Sequence, residues 1–346
     1  MMEKINVGII GFGLSASVFH APIIDYLPEF NLKKVYERKS EKSKKEYPYV
    51  EVVHNIEDLF DSDIDVILVT TPNKIHYDHA KLALLHNKHV IVEKPFTVTS
   101  EEARELVDLA VKKNLVLTVN QNRRWDGDFL TVKKLLETKK LGKVVEFEAH
   151  FDRFRNFIKD KWKEKDEPGS GIVYDLGSHL IDQALCLFGE PYAIFADIRK
   201  QRPDAVVDDY FEIILDYNTL KVTLKADMLS NYKSPKYIIK GLNGTFIKYG
   251  TDVQEGQLKE KITPDDPDYG KDKESNWGKI NYIENGEEKS EKIITETGKY
   301  HFFYKNLFDR IKNNAKIEVR PETALRTIQI IEKAFESNEK RQFIKL

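Results

Sequence analysis

A chain of 346 residues is long enough for about two domains, and its 41% hydrophobic and 11% aromatic content can give each a core. The 55 Lys and Arg against 57 Asp and Glu leave a net charge of −2, so no global field recruits nucleic acid or an anionic membrane. One cysteine, Cys186, excludes a disulfide framework and a cysteine-rich metal site, and no run approaches the ~18 apolar residues of a membrane span. The apolar run in MMEKINVGIIGFG is too short for a signal peptide, so the expected setting is the cytoplasm.

Up to residue 120, short apolar runs alternate with helical patterns. The runs are INVGII (5–10), NLKKVYE (31–37), EVV (51–53), DVILVTT (65–71), HVIVEK (89–94) and LVLTVN (115–120). This alternation predicts βαβ units on a parallel sheet. The first run meets Gly11-Phe12-Gly13-Leu14-Ser15-Ala16, a G-x-G-x-x-A spacing that opens a helical segment. In that context Gly11 permits a tight turn and Gly13 a close backbone approach to a pyrophosphate. Ala16 permits close helix–strand packing, and the helix N-terminus offers N–H donors.

The second run ends in Glu37-Arg38-Lys39-Ser40. An acid here binds the ribose 2′-OH of NAD, whereas an arginine accommodates the 2′-phosphate of NADP. Both are present, and the five basic against two acidic residues of 38–46 favour NADP over NAD, although a solvated helical turn explains that run equally well. Helices are predicted over 75–87, with Tyr77, Ala80, Leu84 and Leu85 on one face, and over 100–113, with Ser100 as N-cap before early acids. Tyr77-x-x-x-Lys81 and Tyr232-x-x-x-Lys236 have the spacing of short-chain dehydrogenases but not the context, and are read as chance. VEKPF puts Lys94 at the carboxyl edge of the fifth strand, where ligands of an open parallel sheet bind. There it can hold a substrate hydroxyl as oxyanion character develops; a surface lysine paired with Glu93 is the competing reading.

Beyond residue 121 the runs alternate with period two: 144–154, 192–198, 208–217, 220–229 and 236–250. They predict half-buried antiparallel strands. A helix over 174–188 interrupts them, with Asp175 and His179 at i,i+4. A histidine beside a carboxylate can take up a proton near neutral pH, and an Asp/His cap on an exposed helix is the alternative. This pair, His76-x-x-His79 and His86-x-x-His89 all lack supporting ligands, so no metal site is predicted. Residues 252–292, charged and poor in large aliphatics, predict a surface excursion. Residues 323–338 form an amphipathic helix with Leu325, Ile328, Ile331 and Phe335 on one face.

Together GFGLSA, TTPNKIHYDHA, VEKPF, NQNRRWDGDF and YDLGSHLIDQ, in this order, resemble the glucose–fructose oxidoreductase/inositol dehydrogenase (Gfo/Idh/MocA) family over essentially the whole chain. Within it, SVFHAP and NRRWDGDFLT are most similar to NADP-dependent scyllo-inositol dehydrogenases. The resemblance implies an α/β fold: a Rossmann doubly wound parallel sheet over 1–121, then an α/β domain with a large, mostly antiparallel open sheet over 122–322. Helix 323–338 would pack near the first, and a homodimer or homotetramer would form through the C-terminal sheet. It makes Lys94 the lysine that contacts substrate and nicotinamide, and His179 the general acid/base beside Asp175. It lays Thr71, Pro72, Asn73 and His76 along the cofactor, with Leu14, Ser15, Glu93 and Asn122 also on the cofactor side. Arg124 and Trp125 line the cleft near the nicotinamide, and Asp152, Arg153 and Arg155 are candidates for substrate contact. Glu37 stands where NAD-using members carry an acid.

The implied activity is hydride transfer between a nicotinamide cofactor and a secondary alcohol or ketone of a polyol, inositol or sugar derivative. The partner is a small molecule, with no nucleic acid or membrane. Two alternatives share the fold: a redox-neutral NAD-dependent glycoside hydrolase, and a non-catalytic nucleotide-sensing regulator. The presence of both Lys94 and His179 weighs against the regulator, as does the lack of a basic recognition helix.

Overall fold

In the computed structural model, which describes residues 3–346, the chain gathers into two units. The first contains the chain up to Asn122 together with Gln254–Tyr269 and Lys299–Arg326; the second contains Arg123–Val253, Gly270–Gly298 and Thr327–Leu346.

The first unit begins with β1 (Ile5–Ile10), α1 (Ala21–Tyr26), β2 (Phe30–Tyr36), α2 (Lys42–Glu46) and β3 (Glu51–Val53). It continues through β4 (Val66–Val69), α3 (His76–Leu85), β5 (His89–Val92), α4 (Ser100–Lys112) and β6 (Leu117–Val119). The strands pair in parallel in the order β3-β2-β1-β4-β5-β6. The continuous apolar run VILV of β4 is buried at every position, as a strand covered on both faces requires. Strand order reverses between β1 and β4, and that switch point is where a doubly wound sheet binds its ligand. The N-cap of helix α4 is Thr99, one residue before the expected Ser100. Thr99 Oγ1 accepts the Glu102 N–H at 3.2 Å while Glu102 Oε2 accepts the Thr99 N–H at 3.1 Å, so a capping box leaves Ser100 inside the first turn.

The second unit is built on α5 (Gly127–Glu137), β7 (Val144–His150), α6 (Ser178–Phe188), β8 (Ala193–Arg199), β9 (Tyr210–Asp216), β10 (Lys221–Asp227), β11 (Tyr237–Gly241) and β12 (Gly244–Lys248). After α7 (Gln254–Lys259), which belongs to the first unit, come β13 (Gly278–Glu284) and β14 (Glu287–Ile293). Then α8 (His301–Asn313) returns to the first unit, followed by α9 (Pro321–Lys340) and β15 (Ile344–Lys345). The sheet has nine strands in the order β14-β13-β12-β11-β7-β10-β9-β8-β15, antiparallel except for β7 beside β10. One face packs on α6, where the Phe147 and Phe188 rings are 5.1 Å apart. The other carries cross-strand pairs such as Lys240–Glu146 at 2.8 Å. Near the end of α9, Ser337 Oγ and Asn338 Oδ1 accept the N–H groups of Ala196 and Ile198 on β8.

The stretch 252–292 differs from the expected loop: it contains α7 and the β13–β14 hairpin that ends the sheet. Strand β14 reads EEKSEKI and exposes charges from both faces, the composition that protects a sheet edge, so it lacks the apolar alternation that announces a strand. Helix α8 buries Phe303, Tyr304, Leu307 and Phe308, and its Tyr304 ring lies 5.5 Å from Phe30 of β2. Thr118 Oγ1 donates to Val319 O at 2.8 Å, tying β6 to the same returning segment. Among the described residues, no helix is long and apolar enough to cross a membrane.

Candidate active site

In the first unit the glycine turn follows β1. Gly11 has φ +89°, a left-handed conformation that favours glycine, and its carbonyl accepts Thr70 Oγ1 at 2.9 Å. A Cβ added at Gly13 would meet nothing within 4 Å, so packing within the chain does not require glycine there. The clear space beside it is what a pyrophosphate needs. Leu14 is exposed. The helix expected after the turn starts as a π turn over Ala16–His20, closed by Ala21 N–H donating to Ala16 O, and α1 follows. Pro22 offers no N–H to the carbonyl of Val18, which removes one α-helical bond at this junction.

Glu37, at the end of β2, turns its carboxylate into its own loop. Oε2 accepts Ser40 Oγ at 2.5 Å and Lys42 N–H at 3.0 Å; Oε1 accepts Ser43 N–H at 2.8 Å and Ser43 Oγ at 2.7 Å. Burial works against the charge, yet these four donors hold the carboxyl below the usual range. A carboxylate has about four acceptor positions, so the loop fills them. Arg38 and Lys39 are exposed and Ser40 is half-buried.

Beyond β4, the Thr71 hydroxyl lies 3.2 Å from His79 Nδ1. The ring nitrogens of buried His76 lie 2.7 Å from Thr71 O and 2.9 Å from Pro95 O. Desolvation lowers its pKa. Pro72 precedes a short turn over Asn73–Ile75, and Asn73 is buried.

At the end of β5, Glu93 Oε1 accepts three donors: His20 Nε2 at 2.5 Å, Ser15 Oγ at 2.7 Å and Asn120 Nδ2 at 2.9 Å. Its Oε2 accepts the backbone N–H of Lys94 at 3.0 Å. Burial opposes the charge, but these bonds and the nearby His20 hold the carboxyl far below the usual range. On the far side of His20, Nδ1 lies 2.5 Å from the Tyr304 hydroxyl. Lys94 is half-buried, and its peptide bond to Pro95 is cis. The predicted set thus joins Ser15, Glu93 and Lys94 through one carboxylate. His20, Asn120 and Tyr304 carry no assignment from sequence; the polar His20 within SVFHAP is the one signal that pointed to the cluster.

In the second unit the 174–188 helix also opens with a π turn, Val173–Gly177, closed by Ser178 N–H donating to Val173 O. Asp208 Oδ2 accepts the Val173 N–H at 2.7 Å. Gly171, at φ +88°, makes room for it: a Cβ there would lie 2.0 Å from Asp208 Oδ1. Burial pushes the Asp208 carboxyl up to about 6. Asp175 Oδ1 accepts Lys163 Nζ at 2.5 Å, and His179 is buried one turn on. Arg124 grips Asp182 of α6 in a fork, Nε to Oδ2 at 2.8 Å and Nη2 to Oδ1 at 2.7 Å. Gln183 Nε2 donates to Arg123 O at 2.9 Å, so Arg123 and Arg124 are both fastened to the helix that carries His179.

Trp125 is buried. For Asp152, burial raises the pKa, but bonds from His150 and Ser234 bring it below the usual range. The Arg153 guanidinium lies 5.1 Å from the Phe151 ring centroid, and Arg155 lies 3.7 Å from Glu164.

The NAD-binding Rossmann-fold domain of the Gfo/Idh/MocA oxidoreductases matches residues 5–121, and their C-terminal alpha/beta domain matches residues 133–346. The chain belongs to the Gfo/Idh/MocA family. Like its members it is an oxidoreductase with an NAD(P)-binding Rossmann domain and a second α/β domain. It is 39% identical to the scyllo-inositol 2-dehydrogenase (NADP(+)) IolW of Bacillus subtilis, over 100% of this chain and 97% of that protein. It is 42% identical to the Escherichia coli oxidoreductase YdgJ, over 99% of this chain and 98% of the relative. The solved structure of the oxidoreductase YvaA from Bacillus subtilis superposes with a TM-score of 0.97 at 39% identity, covering 100% of this chain and 99% of that one.

Proposed function

We propose that this chain is an NADP-preferring dehydrogenase that interconverts a secondary alcohol and a ketone on an inositol, another polyol or a sugar derivative. The observation that carries the reading is Lys94: an amine-bearing residue at the carboxyl end of β5, tied by its backbone through Glu93 to Ser15 of the glycine turn. The activity named for IolW supports the substrate class and the nucleotide.

Gly11, Gly13, Leu14 and Ser15 would hold the pyrophosphate. Thr71, Pro72, Asn73, His76, Asn122 and Arg124 complete the proposed cofactor set, while Glu93, whose carboxylate is taken up by four donors of the chain, supports the turn from behind. Glu37 is engaged with its own loop, including the Ser40 hydroxyl, which leaves Arg38, Lys39 and the backbone of Ser40 to meet a 2′-phosphate. When bound, the nicotinamide supplies a two-electron hydride acceptor or donor.

The chain's own groups handle the proton and the oxygen. His179 takes the hydroxyl proton during oxidation and returns it during reduction. Lys94 holds the oxygen as negative charge builds, and Asp175 orients the imidazole or binds a neighbouring hydroxyl. Trp125, Asp152, Arg153 and Arg155 meet the rest of the substrate, since each desolvated hydroxyl needs a partner. The reading also includes self-association through the open face of the second sheet, which light scattering reads.

A panel of inositols and aldoses with NADP and NAD, followed at 340 nm, tests the activity. His179→Ala should lower kcat by about 10²–10⁴-fold; near-normal turnover would remove His179 from the mechanism. A clear preference for NAD would refute the reading of the 37–43 loop.

A further inference from the structure

Both sides of Lys94 are fixed by buried groups of the first unit. Ahead of it, Glu93 Oε2 accepts the Lys94 N–H. Behind it, Pro95 O lies 2.9 Å from His76 Nδ1, whose ring also reaches Thr71 O. Glu93 is itself gripped at Oε1 by Ser15, His20 and Asn120. Ionised Glu93 only accepts, so His20 carries a hydrogen on Nε2, and its Nδ1 lies 2.5 Å from the Tyr304 hydroxyl. Burial keeps that phenol protonated. The chain Tyr304–His20–Glu93 therefore runs from α8, through the π turn, to the backbone of residue 94.

We infer that Glu93 is a positioning residue, held by His20 and Tyr304, which clamps the backbone of Lys94 to the phosphate-binding turn so that the fold sets the amine before substrate arrives. The inference rests on the role given to Lys94 above. The π turn brings His20 and Ser15 to the same carboxylate oxygen, which gives its unusual register a purpose. Surface salt bridges would not serve, because mobile partners cannot hold a catalytic group within the narrow tolerance that chemistry needs.

Glu93→Gln is the decisive variant. Its amide oxygen can face the three donors at Oε1, but its NH₂ then meets the N–H of Lys94, donor against donor, so the link to residue 94 is lost selectively. Tyr304→Phe loosens the clamp from its far end and serves as the milder variant. Three measurements separate positioning from simple support: thermal melting, NADPH affinity by fluorescence, and the rate at which an amine-acylating reagent modifies Lys94, read by peptide mass. In Glu93→Gln, kcat is expected to fall about 10–100-fold, as a misplacement near 1 Å produces, while NADPH affinity stays within about threefold. Labelling of Lys94 is expected to change by about threefold, equivalent to half a pKa unit, with Lys140 as an unchanged control. Tyr304→Phe should move kcat and Lys94 labelling in the same directions by smaller factors.

The inference is overturned if kcat falls only in proportion to folded protein, or if Lys94 labels at the wild-type rate in both variants. If the wild-type chain turns over no polyol or sugar with either nucleotide, the proposed function fails. Lys94 labelling then decides the clamp by itself, and equal rates overturn it.

Discussion

Glu93 and Asp208 are both buried carboxylates, one in each unit, and each is bonded to a π turn, yet their surroundings give them opposite charge preferences. Glu93 collects four hydrogen bonds, from Ser15, His20, Asn120 and the Lys94 backbone, and stays ionised to low pH. Asp208 has Val173 N–H on its carboxylate, beside a glycine that admits it, and burial pushes its pKa up to about 6. Burial is common to both; the donors, with His20 beside Glu93 and Asp209 beside Asp208, decide which carboxyl keeps its charge. The same backbone device is braced by a permanent anion in one unit and by a titrating group in the other.

The largest expected break in this comparison comes from Glu93→Ala. It leaves the buried His20 and Asn120, and the half-buried Ser15, without their acceptor, and should cost about 3–5 kcal/mol by chemical denaturation. Asp208→Ala should cost far less, because it also removes a carboxyl whose ionisation is penalised. Equal losses would mean that the donor set is not what separates them.

Next in size is the pH response. The raised native pKa of Asp208 means that, between about pH 4 and pH 6, the folded chain keeps a proton the unfolded chain has released. Stability from this group therefore falls as pH rises through that window, by about 2–3 kcal/mol, and then levels. Glu93 acts in the opposite sense: its lowered pKa supplies stability above the ordinary glutamate range, which is lost as pH falls through and below it. Melting curves across pH 3–8 should show both limbs, and Asp208→Asn should flatten only the limb between about 4 and 6.

Gly171→Ala tests the room made for Asp208. A Cβ there would lie 2.0 Å from Oδ1 on a backbone at φ +88°, so a loss of roughly 2 kcal/mol is expected, and it should shrink in an Asp208→Ala background. The smallest effect is Ser15→Ala, which removes one of the four bonds to Glu93 and should cost about 1 kcal/mol. Urea denaturation resolves both.

Much of the first sheet was legible because parallel strands covered on both faces read as uninterrupted apolar runs, and 66–69 is such a run. The two π turns were not, since a helical period near 3.6 does not reveal where one carbonyl skips to the fifth residue. The β13–β14 hairpin was hidden by its charged edge. At the site, Lys94 could be placed from a strand end and the proline that follows it. The orientation of Glu37 could not: an acid at the end of β2 reads the same whether it faces a ribose or, as here, Ser40 and Ser43. Tyr304 was beyond reach, for it meets His20 across 284 residues of chain, and no local pattern carries that pairing.

That long reach bears on how the protein is made. Tyr304 and the aromatic face of α8 complete a unit whose other strands leave the ribosome first, and synthesis proceeds at ~5–20 residues per second. Until α8 emerges, the imidazole of His20 and the ring of Phe30 lack their cover, so the nucleotide-binding half cannot finish closing early in translation. A gene cut after residue 122 would inherit that open seam, and chimeras between relatives must exchange α8 together with the glycine turn it seals.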